Sequence, residues 1–97
     1  MIEQSKIQKE IIEIIRLLIT RDGKNTEIYI DTPLLGSGSD LDSMKLVELC
    51  LELEDKASEM GFEFDWTSEK AMSKVGSMFR TVGTLAEEFT QQNRIAK

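Results

Sequence analysis

The stretch Leu41-Asp42-Ser43-Met44-Lys45-Leu46-Val47-Glu48-Leu49 places one hydroxyl where a Gly/Ser-rich segment gives way to helical apolar spacing. A serine there faces the positive end of a helix and has an acid, Asp42, beside it. Two kinds of chemistry are open to such a hydroxyl. It can attack, if a base takes its proton, or it can be esterified by another enzyme. The chain has no histidine, the usual general base, and Ser43 is not in a Gly-x-Ser-x-Gly elbow. A phosphate esterified to Ser43, by contrast, would meet the free N–H groups of the first helical turn. These favour an anion by roughly 0.3–1 kcal/mol. Ser43 therefore reads as a residue that is modified rather than one that catalyses. A plain helix cap, contributing about 1 kcal/mol, is the competing reading and stays open.

Other chemical signals fail. Gly36-x-Gly38 lacks the Gly-Lys-Ser/Thr of a phosphate-binding loop. Asp40 and Asp42 begin like a calcium loop, but neither the third ligand nor the glycine follows. No pair of carboxylates is placed for glycosidase work. Cys50 falls on an apolar stripe and is expected to be an inert core residue. As the single cysteine it cannot form an internal disulfide, which suits the cytosol.

The elements that must position Ser43 follow from periodicity. Ile7, Ile11, Ile14, Ile15 and Leu18 predict an amphipathic helix over about 3–20, ended by Asp22-Gly23. Between 23 and 42 the pattern dissolves. Glu27-Ile28-Tyr29-Ile30 resembles a strand but has no partner strand. Ile28, Ile30, Leu34 and Leu35 are instead expected to pin a long loop onto the core. A second helix is predicted from Ser43 to about Met60, with Leu46, Cys50, Leu53, Ala57 and Met60 inward and Gly61 as its stop. Met44, Glu48, Leu51 and Asp55 form another line on a different face, one that the core does not need. Phe62-Glu63-Phe64-Asp65-Trp66 reads as a linker that tucks its rings inward. Thr67 or Ser68 should cap a third helix with Met72, Val75 and Phe79 apolar, which Gly76 weakens. Thr81 should cap a fourth from about Val82, with Val82, Leu85, Ala86 and Phe89 inward. The tail 91–97 is expected to fray. The prediction is an all-α single domain over 1–97: a bundle of three substantial helices and a shorter one, with a long first loop.

Composition narrows the partners. The 97 residues hold 18 acidic and 12 basic side chains for a net charge of −6, with 40% hydrophobic and 31% charged. A nucleic-acid binder carries the opposite balance, so no nucleic acid is expected, and basic protein surfaces are the natural partners. No apolar run reaches membrane-spanning length, Ile11 to Ile19 being broken by Glu13 and Arg16. Met1-Ile2-Glu3-Gln4 lacks the features of a signal peptide, so a cytoplasmic location without membrane contact is expected.

Asp42-Ser43-Met44, followed by Leu46-Val47-Glu48-Leu49 and Leu53-Glu54-Asp55, resembles the attachment site and second helix of acyl carrier proteins. Thr81-Val82-Gly83-Thr84-Leu85-Ala86 resembles the start of that family's last helix, so the likeness spans about 7–89. It implies a four-helix bundle of acyl-carrier type and a covalent 4′-phosphopantetheine arm on Ser43. A phosphopantetheinyl transferase would move the arm from coenzyme A, with Asp42 helping to organise that enzyme's metal. The arm would hold an acyl group as a thioester for the loading ligases and synthases of fatty-acid, lipid or secondary-metabolite synthesis. By the same likeness, Glu48, Glu54 and Asp55 would meet basic docking surfaces, and Met44, Val47 and Leu51 would make the apolar contacts among them. Such a carrier is not itself an enzyme and is expected to be monomeric. Met44 replaces the family's usual leucine, as in D-alanine carriers and discrete secondary-pathway carriers. Lys45 stands where fatty-acid carriers have an acid. An aminoacyl or peptidyl carrier loaded by an adenylating ligase, and a helical interaction protein without an arm, remain alternatives.

Overall fold

Four isoleucines and a leucine at helical spacing build the centre of the molecule. The computed structural model describes residues 4–21, 23, 27–35, 41, 43–73 and 75–96. In it, α1 (Gln4–Arg21) buries Ile7, Ile11, Ile15, Leu18 and Ile19 on one stripe. It packs against both other long helices, α2 (Ser43–Met60) and α5 (Val82–Ala96). Between them lie two single turns, α3 (Glu69–Met72) and α4 (Val75–Met78), the latter against α5. Helix accounts for 71% and no strand forms among the described residues, so the fold is all-α. Thr81 and Pro33 make one isolated bridge.

α1 and α2 run antiparallel. The Lys56 ammonium meets the Glu10 carboxylate at 2.8 Å, while Ile14, Leu17, Leu18 and Arg21, further along α1, share a hollow with the earlier Glu52 of α2. The end of α1 and the start of α2 thus lie at one end of the bundle. α2 stops as expected at Gly61, whose φ of +91° is left-handed. The Gly61 N–H donates to Ser58 O (3.1 Å) and the Phe62 N–H to Ala57 O (3.0 Å). This double bond pattern satisfies carbonyls that the helix end leaves open. It also turns Phe62 inward, where it and Phe64 meet Phe89 at ring centroids of 5.1 and 5.3 Å. Rings at this spacing add stabilisation beyond their buried area.

The start of α5 is tied down at each of its first three N–H groups. Val82 N–H donates to Thr32 O (3.2 Å), Gly83 N–H to Ile30 O (2.8 Å), and Thr84 N–H to Thr81 Oγ1 (3.2 Å). Thr81 is the expected cap, and the loop over 27–35 supplies the other acceptors. The loop lies so close that a Cβ on Gly83 would fall 3.0 Å from Ile30 Cγ1.

Several expectations need correction. The third helix is two turns instead of one rod. The Ser73 hydroxyl donates to Lys70 O at 2.7 Å, a local bond that competes with helix continuation, and Gly76 follows three residues later. With that break the inward residues become Ala71, Met78 and Phe79, while Met72 is exposed; the Val75 side chain lies outside the described residues. Of the four residues expected to pin the loop, Ile28 and Leu34 are buried and Ile30 and Leu35 are exposed. A turn explains this: Thr32 N–H donates to Tyr29 O (3.1 Å) and Tyr29 N–H to Thr32 Oγ1 (2.7 Å), which breaks the two-residue alternation. α5 continues through the segment expected to fray, with Asn93 buried. The Gln92 amide holds the backbone of Asp65 through two bonds, 2.6 and 2.9 Å. Among the described residues no helix is long and apolar enough to cross a membrane.

Candidate functional site at the start of α2

Eighteen residues of α2 present two different faces. Leu49, Cys50, Leu53 and Ala57 are fully buried, with Leu46 and Met60 at the border. These positions recur at i, i+3/4 and i+7/8, the signature of a core stripe. The opposite side carries Met44, Val47 and Leu51, which stay 74%, 43% and 49% exposed. Glu54 and Asp55 are exposed on the same side and Glu48 is half-buried at its margin. All six side chains read from the sequence as a docking face therefore share one solvent-facing surface. Large apolar side chains left in water in a helical row are the observation that asks for an explanation.

Ser43 is the first helical residue of α2. The residue before it, where a cap would stand, is Asp42. Asp42 and the side chain of Ser43, the two residues expected from the sequence to form an attachment motif, lie outside the described residues, and Ser43 is placed by the backbone of α2 alone. The pattern elsewhere is consistent: Ser68 precedes α3 and its Oγ accepts from Ala71 N–H at 3.1 Å, and Thr81 precedes α5.

Lys45 is folded down beside the face, its ammonium 3.5 Å from Glu48 Oε2. The side chain is only 14% exposed against 41% for Glu48, so its stem covers apolar surface while its charge stays beside an acid. The lysine that breaks the acidic pattern therefore projects little charge of its own.

Cys50 is buried as expected. Desolvation, with the charge of Glu54 second, pushes its thiol up to about 12. At neutral pH it is protonated, and the thiolate is the nucleophilic form. The described residues contain no group of three or more Asp, Glu or Cys placed to hold a metal ion.

No family model, curated protein or solved structure matches the chain. What the site can do rests on its own geometry. That geometry offers a helix start with a serine at its head, an adjoining face of three apolar and three acidic side chains, and a thiol withdrawn into the core. Sequence reasoning missed a second exposed apolar group, Tyr29, Ile30 and Leu35. The closing Thr32, last of the four residues Tyr29-Ile30-Asp31-Thr32, was the available signal for a turn there.

Proposed function

We propose that the chain is a carrier, in which Ser43 bears a 4′-phosphopantetheine arm and the helix it heads presents the cargo to partner enzymes. The observation that carries this reading is the two-faced α2 beginning at Ser43 itself. A helix cap would stand one residue earlier, as Ser68 and Thr81 do for α3 and α5. A phosphate ester at the first helical position would lie at the positive end of the helix, which favours an anion.

Other features support the same reading. The one thiol of the chain is locked in the core and protonated, so a thioester carrier needs a thiol from outside. When bound, the pantetheine arm supplies that thiol. Met44, Val47 and Leu51 form an apolar strip beside Ser43, and Glu54 and Asp55 give it the sign that a basic enzyme surface complements. Three long helices with the short α3–α4 segment between the last two suit a four-helix carrier bundle. Asp42, next to the acceptor hydroxyl, would help position the transferase's metal.

Intact mass spectrometry tests this. The chain, incubated with coenzyme A and a broad-range phosphopantetheinyl transferase, gains the mass of one phosphopantetheine group, and Ser43→Ala gains none. An unchanged wild-type mass, or a gain that survives Ser43→Ala, refutes the proposal.

A further inference from the structure

The turn over 29–35 carries the second exposed apolar group, and hydrogen bonds tie it down. Ile28 and Leu34 anchor it in the core. Between them, Tyr29, Ile30 and Leu35 (just past the second anchor) are 56%, 48% and 38% exposed. The turn is clasped by the two Tyr29–Thr32 bonds. It is fastened to α5 through Ile30 O and Thr32 O. The Tyr29 hydroxyl donates to Glu27, which fixes the ring's direction and raises the Tyr29 pKa, the hydrogen bond contributing first and the Glu27 charge second. A turn this well tied could have faced its apolar residues inward, yet it holds them in water. Preorganised aromatic and aliphatic side chains at a tip are the kind that dominate binding energy when a partner covers them.

Charge identifies the partner's chemistry. Glu27 and Asp31 flank the apolar tip, both exposed, and residues 27–35 contain no basic side chain. The α2 face has the same makeup: three apolar residues with acids beside them. Two such surfaces on one chain of net charge −6 call for the same complement, an apolar socket with a basic rim. The turn ends at Leu35, eight residues before Ser43 in the chain, which makes a partner that approaches that serine the candidate to cover it.

Resting on the carrier reading, we propose that the turn over 29–35 is a second docking element for the basic-surfaced transferase that modifies Ser43. Tyr29, Ile30 and Leu35 fill its apolar socket, and Glu27 and Asp31 pair with the Lys or Arg side chains around it.

The test compares transferase kinetics on wild type, Tyr29→Ser/Leu35→Ser and Glu27→Lys/Asp31→Lys, with coenzyme A saturating and the chain varied. All substituted side chains are exposed, so matched thermal melts are expected. Both variants should still be modified at Ser43, with kcat/KM lowered about tenfold through KM. The charge-reversed pair should lose part of the salt dependence that wild type shows, the acids of α2 keeping the rest. If wild type is modified and both variants match it, the turn is no docking element and the carrier reading stands. An unmodified wild type would sink the carrier reading and this inference together. Should wild type sediment as a dimer that Tyr29→Ser/Leu35→Ser dissociates, the turn serves a second copy of the chain, and the proposal fails.

Discussion

Replacing glycine by alanine at two positions should move stability in opposite directions, for reasons visible in the backbone. Gly61 sits at φ +91° with no atom within 4 Å of an added Cβ. Space is therefore not the issue; the left-handed backbone is. An L-residue there costs about 1–2 kcal/mol, offset in part by roughly 0.4–1 kcal/mol from a stiffer unfolded chain. Gly61→Ala is thus expected to destabilise by about 1 kcal/mol. Gly76, in α4, has equally open surroundings and an ordinary φ. Gly76→Ala keeps the entropic gain and adds helix propensity, stabilising by about 0.5–1 kcal/mol. For a domain of this size each kcal/mol shifts the melting temperature by roughly 4–8 °C. Thermal melts by circular dichroism should place one variant below wild type and the other above it. If both variants rise, the bonds from Gly61 and Phe62 to Ser58 and Ala57 do not terminate α2. If Gly76→Ala falls, the segment over 75–78 does not form a helical turn in solution.

Three further outcomes follow from the geometry. Phe89→Ala removes the ring that both Phe62 and Phe64 touch; a loss of about 3–5 kcal/mol in urea unfolding is expected, and less than about 1 kcal/mol would mean the aromatic cluster is not the keystone of that end. Cys50 should resist alkylation in the native state at about pH 8 and react on unfolding. Because its folded pKa is raised to about 12, its contribution to stability is intact below the unfolded value of about 8.5 and lost as pH climbs above it, so alkaline melts of Cys50→Ala should fall less steeply than those of wild type. Glu54→Lys/Asp55→Lys should slow modification of Ser43 several-fold at low salt and little at high salt, since exposed charges are screened beyond about 8–10 Å, while the melt stays within about 0.5 kcal/mol of wild type.

Where the sequence was legible, periodicity was long and the punctuation local. α2 could be bounded at both ends because its apolar stripe runs the length of the helix and Gly61 can adopt a conformation its neighbours cannot. Thr81 was readable as a cap for the same reason: one hydroxyl, one residue before a new periodic run. Legibility failed where the deciding contact came from elsewhere in the chain. Asn93 lies on the core stripe of α5, but its polarity hid that in a window of sequence, and Gln92 reaches back 27 residues to clasp Asp65. Ile30 and Leu35 are as apolar as Ile28 and Leu34, and only the turn closed by Thr32 and its bonds to α5 separate the exposed pair from the buried one. Asp65 shows the same limit: its carboxyl is held below the usual range by the Ser68 hydroxyl and then its N–H, so it supports the cap of α3 from outside the helix.

The exposed row on α2 is informative because it runs against the helix's own interest. Burying a Met, Val or Leu fully stabilises by about 1.5–3 kcal/mol, comparable for three such residues to a large part of the stability of a small domain. Polar residues at 44, 47 and 51 would suit a helix that only had to fold, and the core stripe at Leu49, Cys50, Leu53 and Ala57 already secures it. The exposed row and the Cys50 stripe point in different directions around one cylinder, so the apolar positions outside cannot be a spill-over of the core. Their restriction to the first half of α2, beside Ser43, fits the proposal that surface and serine serve the same partner. A partner that covers the row must therefore come up against the start of the helix. If saturating a bound partner left Met44, Val47 and Leu51 as solvent-accessible as they are in the free chain, the link between that surface and Ser43 would be broken.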